Sequence, residues 1–312
     1  MNGVLLLDKP IGPTSHDLVM FARRLLHEKK IGHAGTLDPF ATGLLVLLVG
    51  QATKISSYLL DQDKVYEATV QWGRATDSMD HTGRDVETDD SPLPDRTAIA
   101  AALAKFVGAQ QQTPPMYSAK KVDGTPLYQL ARQGKEVDRP AKQVHIAALD
   151  LLAVDETAKT FSLRVHCSKG TYVRTLADSL ARELGGKGCL ASLRRLRSGL
   201  FHVEQALTPE QWRELPPEEV ASRLLSLDDA LAAFKTVTLS APAGESLGRH
   251  GTPPRAADVL AADDYQSGET LRLQSPDGEL VALARARFAA AQVRGPDDGE
   301  WPFVLLRVFS SS

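Results

Sequence analysis

The stretch Gly32-His33-Ala34-Gly35-Thr36-Leu37-Asp38-Pro39-Phe40-Ala41-Thr42-Gly43 constrains the fold more than any other part of the chain. Its three glycines permit backbone conformations closed to other residues and let another group approach closely. Pro39 biases Asp38 towards an extended conformation. Leu44 to Val49 then runs without a polar residue, the pattern of a short strand buried on both faces. A shaped loop carrying one carboxylate is therefore braced by the core. Two readings of Asp38 stay open on this pattern: an Asx-turn onto its own backbone, or a group presented to a ligand.

Periodicity predicts the elements around the loop. Val4 to Leu7 reads as a strand, and Thr14 or Ser15 caps a helix with Leu18, Phe21, Ala22, Leu25 and Leu26 on one face and Gly32 just past its end. Lys64 to Trp72 alternates, with Tyr66, Ala68, Val70 and Trp72 on the apolar face. Asp77 to Asp95 is acidic and rich in turn formers, so it reads as a surface loop. A helix carrying Ile99, Leu103 and Phe106 follows and stops at Gly108. Gln110 to Pro115 reads as irregular and Met116 to Val122 as a strand, with a turn at Asp123-Gly124. Gln143 to Val154 and Thr160 to Ser168 read as paired strands. Thr171 can then cap a helix through Leu176, Leu180 and Leu184, which puts Tyr172 and Arg174 in its first turn at a strand end, a common position for site residues. Arg174 either pairs with Asp178 one turn on or faces a site. Leu190 to Leu200 fits strand or helix, and Glu210 to Phe234 reads as acidic helix.

From Val237 onward Gly, Pro and Asp rise and the alternating runs shorten, which predicts a small β-rich domain at 237–312 after a larger one at 1–236. Composition excludes several function classes. The apolar run at 44–49 is far too short to span a bilayer, and the N-terminus lacks the basic and apolar regions of a signal peptide, so a cytoplasmic protein without a membrane partner is expected. Two cysteines make no disulfide framework, and eight scattered histidines make no metal-binding pattern. There is no Gly-Lys-Ser/Thr and no Gly-x-Gly-x-x-Gly for a nucleotide. The net charge of −3 is unevenly spread. Residues 105–202 hold 16 Lys and Arg against 8 Asp and Glu, a net of +8 and the candidate footprint for a polyanion.

Five motifs, in order, resemble the TruB family of tRNA pseudouridine synthases. They are Lys9-Pro10 with Gly12 and Thr14-Ser15-His16; the central loop around Asp38; Pro115-Met116-Tyr117-Ser118-Ala119 with Lys121, Gly124 and Leu127-Tyr128; Cys167-Ser168-Lys169-Gly170-Thr171-Tyr172-Val173-Arg174; and Leu193-Arg194-Arg195. Tyr66 is similar to the family tyrosine that follows the aspartate. The resemblance implies an α+β fold, with a mixed, mainly antiparallel sheet around a central cleft, followed by a small PUA-like RNA-binding domain. It implies isomerisation of uridine 55 in the tRNA T-loop, with the base flipped out of its stack and no cofactor or metal. Asp38 becomes the essential carboxylate, as nucleophile or as acid/base. Arg174 is the guanidinium beside it, and Tyr66, Tyr172 and Leu193 are the walls around the base. Tyr66 also fits late proton transfer, and His33 would fill the gap the base leaves. Lys9 and Pro10 brace the loop. The partner implied is the tRNA T-stem-loop, bound by a monomer with no protein partner. The rival is a non-catalytic RNA-binding protein using the same cleft, which would have no need of Asp38.

Overall fold

The computed structural model describes residues 1–118, 120–122, 124–293 and 301–309. Ala119 and Asp123, in the predicted strand and turn near 116–124, lie outside the described residues. The chain begins β1 (Gly3–Lys9), α1 (Ser15–Leu26), β2 (Ile31–His33), β3 (Thr42–Val49), α2 (Ser56–Leu60) and β4 (Lys64–Trp72). Next come β5 (Arg74–Thr76), β6 (Asp85–Thr88), α3 (Arg96–Ala104), β7 (Gly108–Gln112), β8 (Lys121–Val122), β9 (Thr125–Pro126) and α4 (Leu127–Arg132). The larger sheet is completed by β10 (Lys142–Asp155), β11 (Thr160–Cys167), β12 (Gly188–Ser198) and β13 (Phe201–His202), with α5 (Val173–Glu183) between β11 and β12.

Among the described residues that sheet has the order β1-β3-β12-β4-β11-β10-β7, with β2 added to β3 and β13 to β12. Its β12–β3 pair is parallel, while β4, β10 and β11 pair antiparallel with their neighbours. The predicted alternation of β4 is realised: Tyr66, Ala68, Val70 and Trp72 point into the core. Phe161, Leu163, Val165 and Cys167 of β11 join them, and Ile99 and Leu103 of α3 with Leu176 and Leu180 of α5 close the layer. Each large apolar side chain buried there contributes about 1.5–3 kcal/mol. β3 is buried from Gly43 to Val49, as its unbroken apolar run requires.

Contacts divide the chain into two units, Leu6–Leu47 with Ser56–Pro216, and Met1–Leu5, Leu48–Ile55 and Pro217–Ser312 together. The C-terminal part contains α6 (Pro209–Glu214), α7 (Pro217–Ser222) and α8 (Leu227–Ala230), three short helices where one acidic helical stretch is predicted. Pro216 and Pro217 interrupt it, since proline supplies no helical N–H. After them come β14 (Lys235–Leu239), α9 (Ala241–His250), β15 (Val259–Ala262), β16 (Thr270–Gln274), β17 (Leu280–Ala286), α10 (Ala290–Val293) and β18 (Phe303–Val308). Those strands form a sheet in the order β15-β14-β16-β17-β18. Among the described residues no helix is long and apolar enough to cross a membrane.

Some local expectations fail for identifiable reasons. α1 ends at Leu26 with His27 in the left-handed conformation, so Gly32 lies in β2 instead of at the helix stop. The 110–115 segment is strand as far as Gln112, because β10 supplies its partner from 30 residues away. Residues 116–118 bend, and only Lys121–Val122 of the predicted strand pairs. The 77–95 segment is only partly a surface loop: β5 and β6 pair across it, and Asp80 is 3% exposed. Thr171 does not cap α5; Tyr172 occupies that place without a side-chain bond, and the Thr171 hydroxyl donates to Ser168 O.

One glycine of the central loop can be tested directly. Gly43 has φ +96°, and a Cβ there would lie 2.3 Å from Arg195 O. Gly43→Ala is expected to cost about 3 kcal/mol, from backbone strain plus overpacking against β12. Chemical denaturation checks this, and a loss below about 0.5 kcal/mol would show that β3 can move away from β12.

Candidate active site

The loop expected to carry Asp38 is clamped from three sides. Ser15 Oγ accepts from Leu37 N (2.9 Å) and donates to Leu37 O (3.1 Å). Gly12 N donates to Pro39 O (2.9 Å), and Ala41 N closes a turn onto Asp38 O (3.1 Å). Lys9, fully buried, donates from Nζ to Pro39 O (3.0 Å), Ala41 O (2.6 Å) and Pro10 O (3.0 Å). Those three bonds use all the donors of an ammonium, so Lys9 braces the loop. Burial lowers its pKa to about 8, opposed by the Asp38 charge.

Asp38 makes no hydrogen bond to its own backbone through its carboxylate among the described residues, which sets the Asx-turn aside. Both oxygens face Arg174: Nε to Oδ2 at 3.0 Å and Nη2 to Oδ1 at 3.3 Å. This fork-to-fork geometry fixes orientation as well as charge. The guanidinium also donates to Tyr117 O (2.7 Å), Ser78 O (3.1 Å) and Asp80 Oδ2 (3.4 Å). Arg174 therefore bridges two carboxylates and does not pair with Asp178, whose carboxylate takes Arg182 instead (2.9 Å). Burial pushes the Asp38 carboxyl above its ordinary value, the Arg174 guanidinium opposes this, and Asp80 adds to the rise. The Asp38 side chain keeps 32% exposure against 5% for Arg174, so the carboxylate remains accessible while its partner is sealed.

Asp38, Tyr66, Tyr172, Arg174 and Leu193 line one cavity of about 320 Å³. The sheet accounts for their meeting. Leu193 lies opposite Ala68 on the β12–β4 ladder, two positions from the Arg195–Tyr66 pair. Tyr172 and Arg174 stand at the N-terminus of α5, which leaves the end of β11. Tyr66 is buried, and burial raises its phenol pKa. His33 is not among the lining residues; it lies in β2 with Nδ1 buried and unbonded, and burial followed by the Arg195 charge lowers its pKa. Among the described residues no cluster of His, Cys, Asp or Glu is arranged to hold a metal ion.

Sequence reasoning missed three groups here. Asp80 was hidden inside a turn-rich acidic segment; its Oδ1 accepts from Ser78 Oγ (2.9 Å), Thr82 N (3.0 Å) and Thr82 Oγ1 (2.5 Å). The segment is held to β12 by His81 N to Leu190 O and Leu190 N to Met79 O, and His81 packs edge-on against Phe40 at 5.3 Å. Arg195 and Lys64 are the other two, both buried and both on the cavity wall. Only the motif Leu193-Arg194-Arg195 signalled either of them.

The model of the TruB family pseudouridylate synthase N-terminal domain matches residues 23–173, a span holding Asp38, Tyr66 and Tyr172. The chain is 43% identical over 310 residues to tRNA pseudouridine synthase B of Syntrophotalea carbinolica, covering 99% of this chain and 98% of that one. It is 43% identical over 287 residues to the protein of the same name from Geobacter sulfurreducens, covering 91% and 93%. Among solved structures, a chain of a Cbf5-Nop10-Gar1 complex superposes with TM-score 0.75 at 24% identity, over 98% of this chain and 84% of that one. This last likeness bears on the fold alone.

Proposed function

The chain belongs to the TruB family of pseudouridylate synthases, and from that premise we propose that it converts uridine 55 in the T-loop of tRNA to pseudouridine. The observation that carries the reading is the Asp38 carboxylate, gripped by Arg174 and left accessible in a cavity walled by two tyrosines and a leucine. In this reaction the C1′–N1 bond breaks, the base turns, C1′–C5 forms, and the C5 hydrogen leaves while N1 gains one. Atoms and electrons are conserved, so the chemistry needs positioning and charge control more than an added reagent.

Asp38 acts as the essential carboxylate, in the ionised form that Arg174 favours. A uridine stacked in a loop must be extruded to reach it, and Tyr66, Tyr172 and Leu193 offer the flat and apolar contacts that a flipped base requires. Tyr66 is also the group beside the base for late proton transfer. His33, outside the cavity, is the stand-in for the base in the loop stack. A protein that only bound RNA would have no need of an accessible carboxylate held by a guanidinium inside its cavity. Residues 1–236 form the catalytic domain and 237–312 a PUA-like RNA-binding domain, and the chain works as a cytoplasmic monomer.

The test is tritium release from an unmodified tRNA transcript labelled at uracil C5. Stoichiometric release from one uridine per tRNA is expected, lost when that uridine is replaced by cytidine. Binding without release would sink the enzyme reading.

A further inference from the structure

The cavity has a second charged end that the roles above leave unused. Lys64 and Tyr66 stand two apart on β4, so their side chains share the inner face, and both are buried. Across the ladder Arg195 pairs with Tyr66. It is 1% exposed and donates from Nε to Leu44 O (2.7 Å) and from Nη2 to Gly35 O (3.1 Å). Gly35, at φ +111°, leaves room for the guanidinium, since a Cβ there would stand 3.3 Å from Nη1. Lys64 Nζ donates to Leu60 O (2.6 Å) and Gln62 O (2.5 Å). An ammonium has three donors, so one N–H is left without an acceptor among the described residues. Neither cation makes an ion pair among the described residues, and the one lining carboxylate, Asp38, is already held by Arg174. Buried cations without a counter-charge are costly, and both of these face the space that a ligand enters.

We propose that Lys64 holds a uracil oxygen with Arg195 behind it, and that the two cations stabilise the negative charge the uracil oxygens carry during the reaction, an inference that rests on the uridine reading above. Breaking C1′–N1 leaves its electron pair on the base, spread over O2 and O4. Addition of a carboxylate oxygen at C6 would instead push the pair onto C5 and O4. Both routes deliver charge to O4, and it disappears once C1′–C5 has formed, the C5 proton has left and N1 is protonated. Fixed cations in a dry site meet such charge without reorganising, which is where electrostatic stabilisation is largest. Lys64, with a free donor, touches the base; Arg195, tied to two carbonyls, supports it and Tyr66.

The ammonium form of Lys64 is the active one. Burial, then the Arg195 charge, lowers its pKa to about 8, while Cys167, Asp63 and Asp61 pull it upward. A group with a lowered cationic pKa loses its proton as pH rises through that value, so the rate should fall on the basic side near pH 8. The experiment measures single-turnover tritium release and tRNA affinity for wild type, Lys64→Gln and Lys64→Arg across about pH 6 to about pH 9.5. Lys64→Gln is expected to lose about a hundredfold in rate with affinity changed less than about threefold. Because a guanidinium stays protonated, Lys64→Arg should retain most of the rate and move the Lys64 part of the basic limb upward, leaving a shallower limb set by Lys9, whose pKa is also about 8. A wild-type rate in Lys64→Gln overturns the proposal, as does a rate loss matched by lost affinity, which would mean a phosphate contact. Should Lys64→Gln fail to bind tRNA at all, Lys64→Arg and the wild-type profile decide: a basic limb unmoved by Lys64→Arg, or no limb, overturns it. No release by wild type removes the uridine reading as well, whereas release by wild type and Lys64→Gln alike removes this inference alone.

Discussion

Replacing Asp38 by Asn is expected to lower single-turnover tritium release by at least about 10⁴-fold while leaving tRNA affinity within about threefold. Asn has nearly the shape of Asp and keeps one oxygen for Arg174, so the loop held by Ser15 and Lys9 stays in place. What is lost is the anionic oxygen, and neither addition to a base or sugar carbon nor proton transfer proceeds well from an amide. The wild-type pH profile carries the matching signature. In the proposed role the ionised carboxylate is the working form, and burial raises its pKa despite Arg174. The rate should therefore fall as pH drops through a value above the ordinary aspartate value of about 4. Full activity in Asp38→Asn would show that another group carries the chemistry.

The second large effect is expected for Arg174→Met: a loss of about 3 kcal/mol in stability, about 6–12 °C in Tm, together with about a thousandfold loss in rate. The side chain is 5% exposed and holds Asp38, Asp80, Ser78 O and Tyr117 O at once. Its removal leaves Asp80, also 5% exposed at its side chain, facing Asp38 without the cation between them. Asp38 alone would lose less, since a third of its side chain remains exposed. With the first opposing influence gone, the Asp38 carboxyl should rise further, moving the acidic limb of the rate profile to higher pH. Thermal melts and the pH profile check these separately. A melting point within about 2 °C of wild type would mean that the two carboxylates need no bridge.

Lys64, Asp80 and Arg195 show where reading a sequence stops. Each looks ordinary in its neighbourhood: Lys64 begins an alternating run, Asp80 sits among turn formers, and Arg195 lies in an arginine-rich stretch that fits either secondary structure. Polar residues have no periodicity that marks burial, so nothing local distinguishes a sealed cation from a solvated one. Arg174 makes the same point from the other side. Its near neighbour in sequence, Asp178, offers a helical pair worth a few tenths of a kcal/mol, yet the guanidinium turns to carboxylates 136 and 94 residues away.

The sequence by itself determined the glycine and proline pattern of the loop at 32–43, the buried strand after it, the two-residue period that sends Tyr66 inward, the paired strands β10 and β11, and, through five motifs in order, the family. These rest on contacts between near neighbours or on residue order, both of which a single chain displays. The tertiary structure alone decided that Arg174 bridges Asp38 to Asp80, that Lys9 grips the loop through the Pro39 and Ala41 carbonyls, and that Lys64 and Arg195 face the cavity unpaired by any described carboxylate. Those depend on which strands lie side by side in the sheet, and strand order is set by the packing of the whole core instead of by any local run of residues.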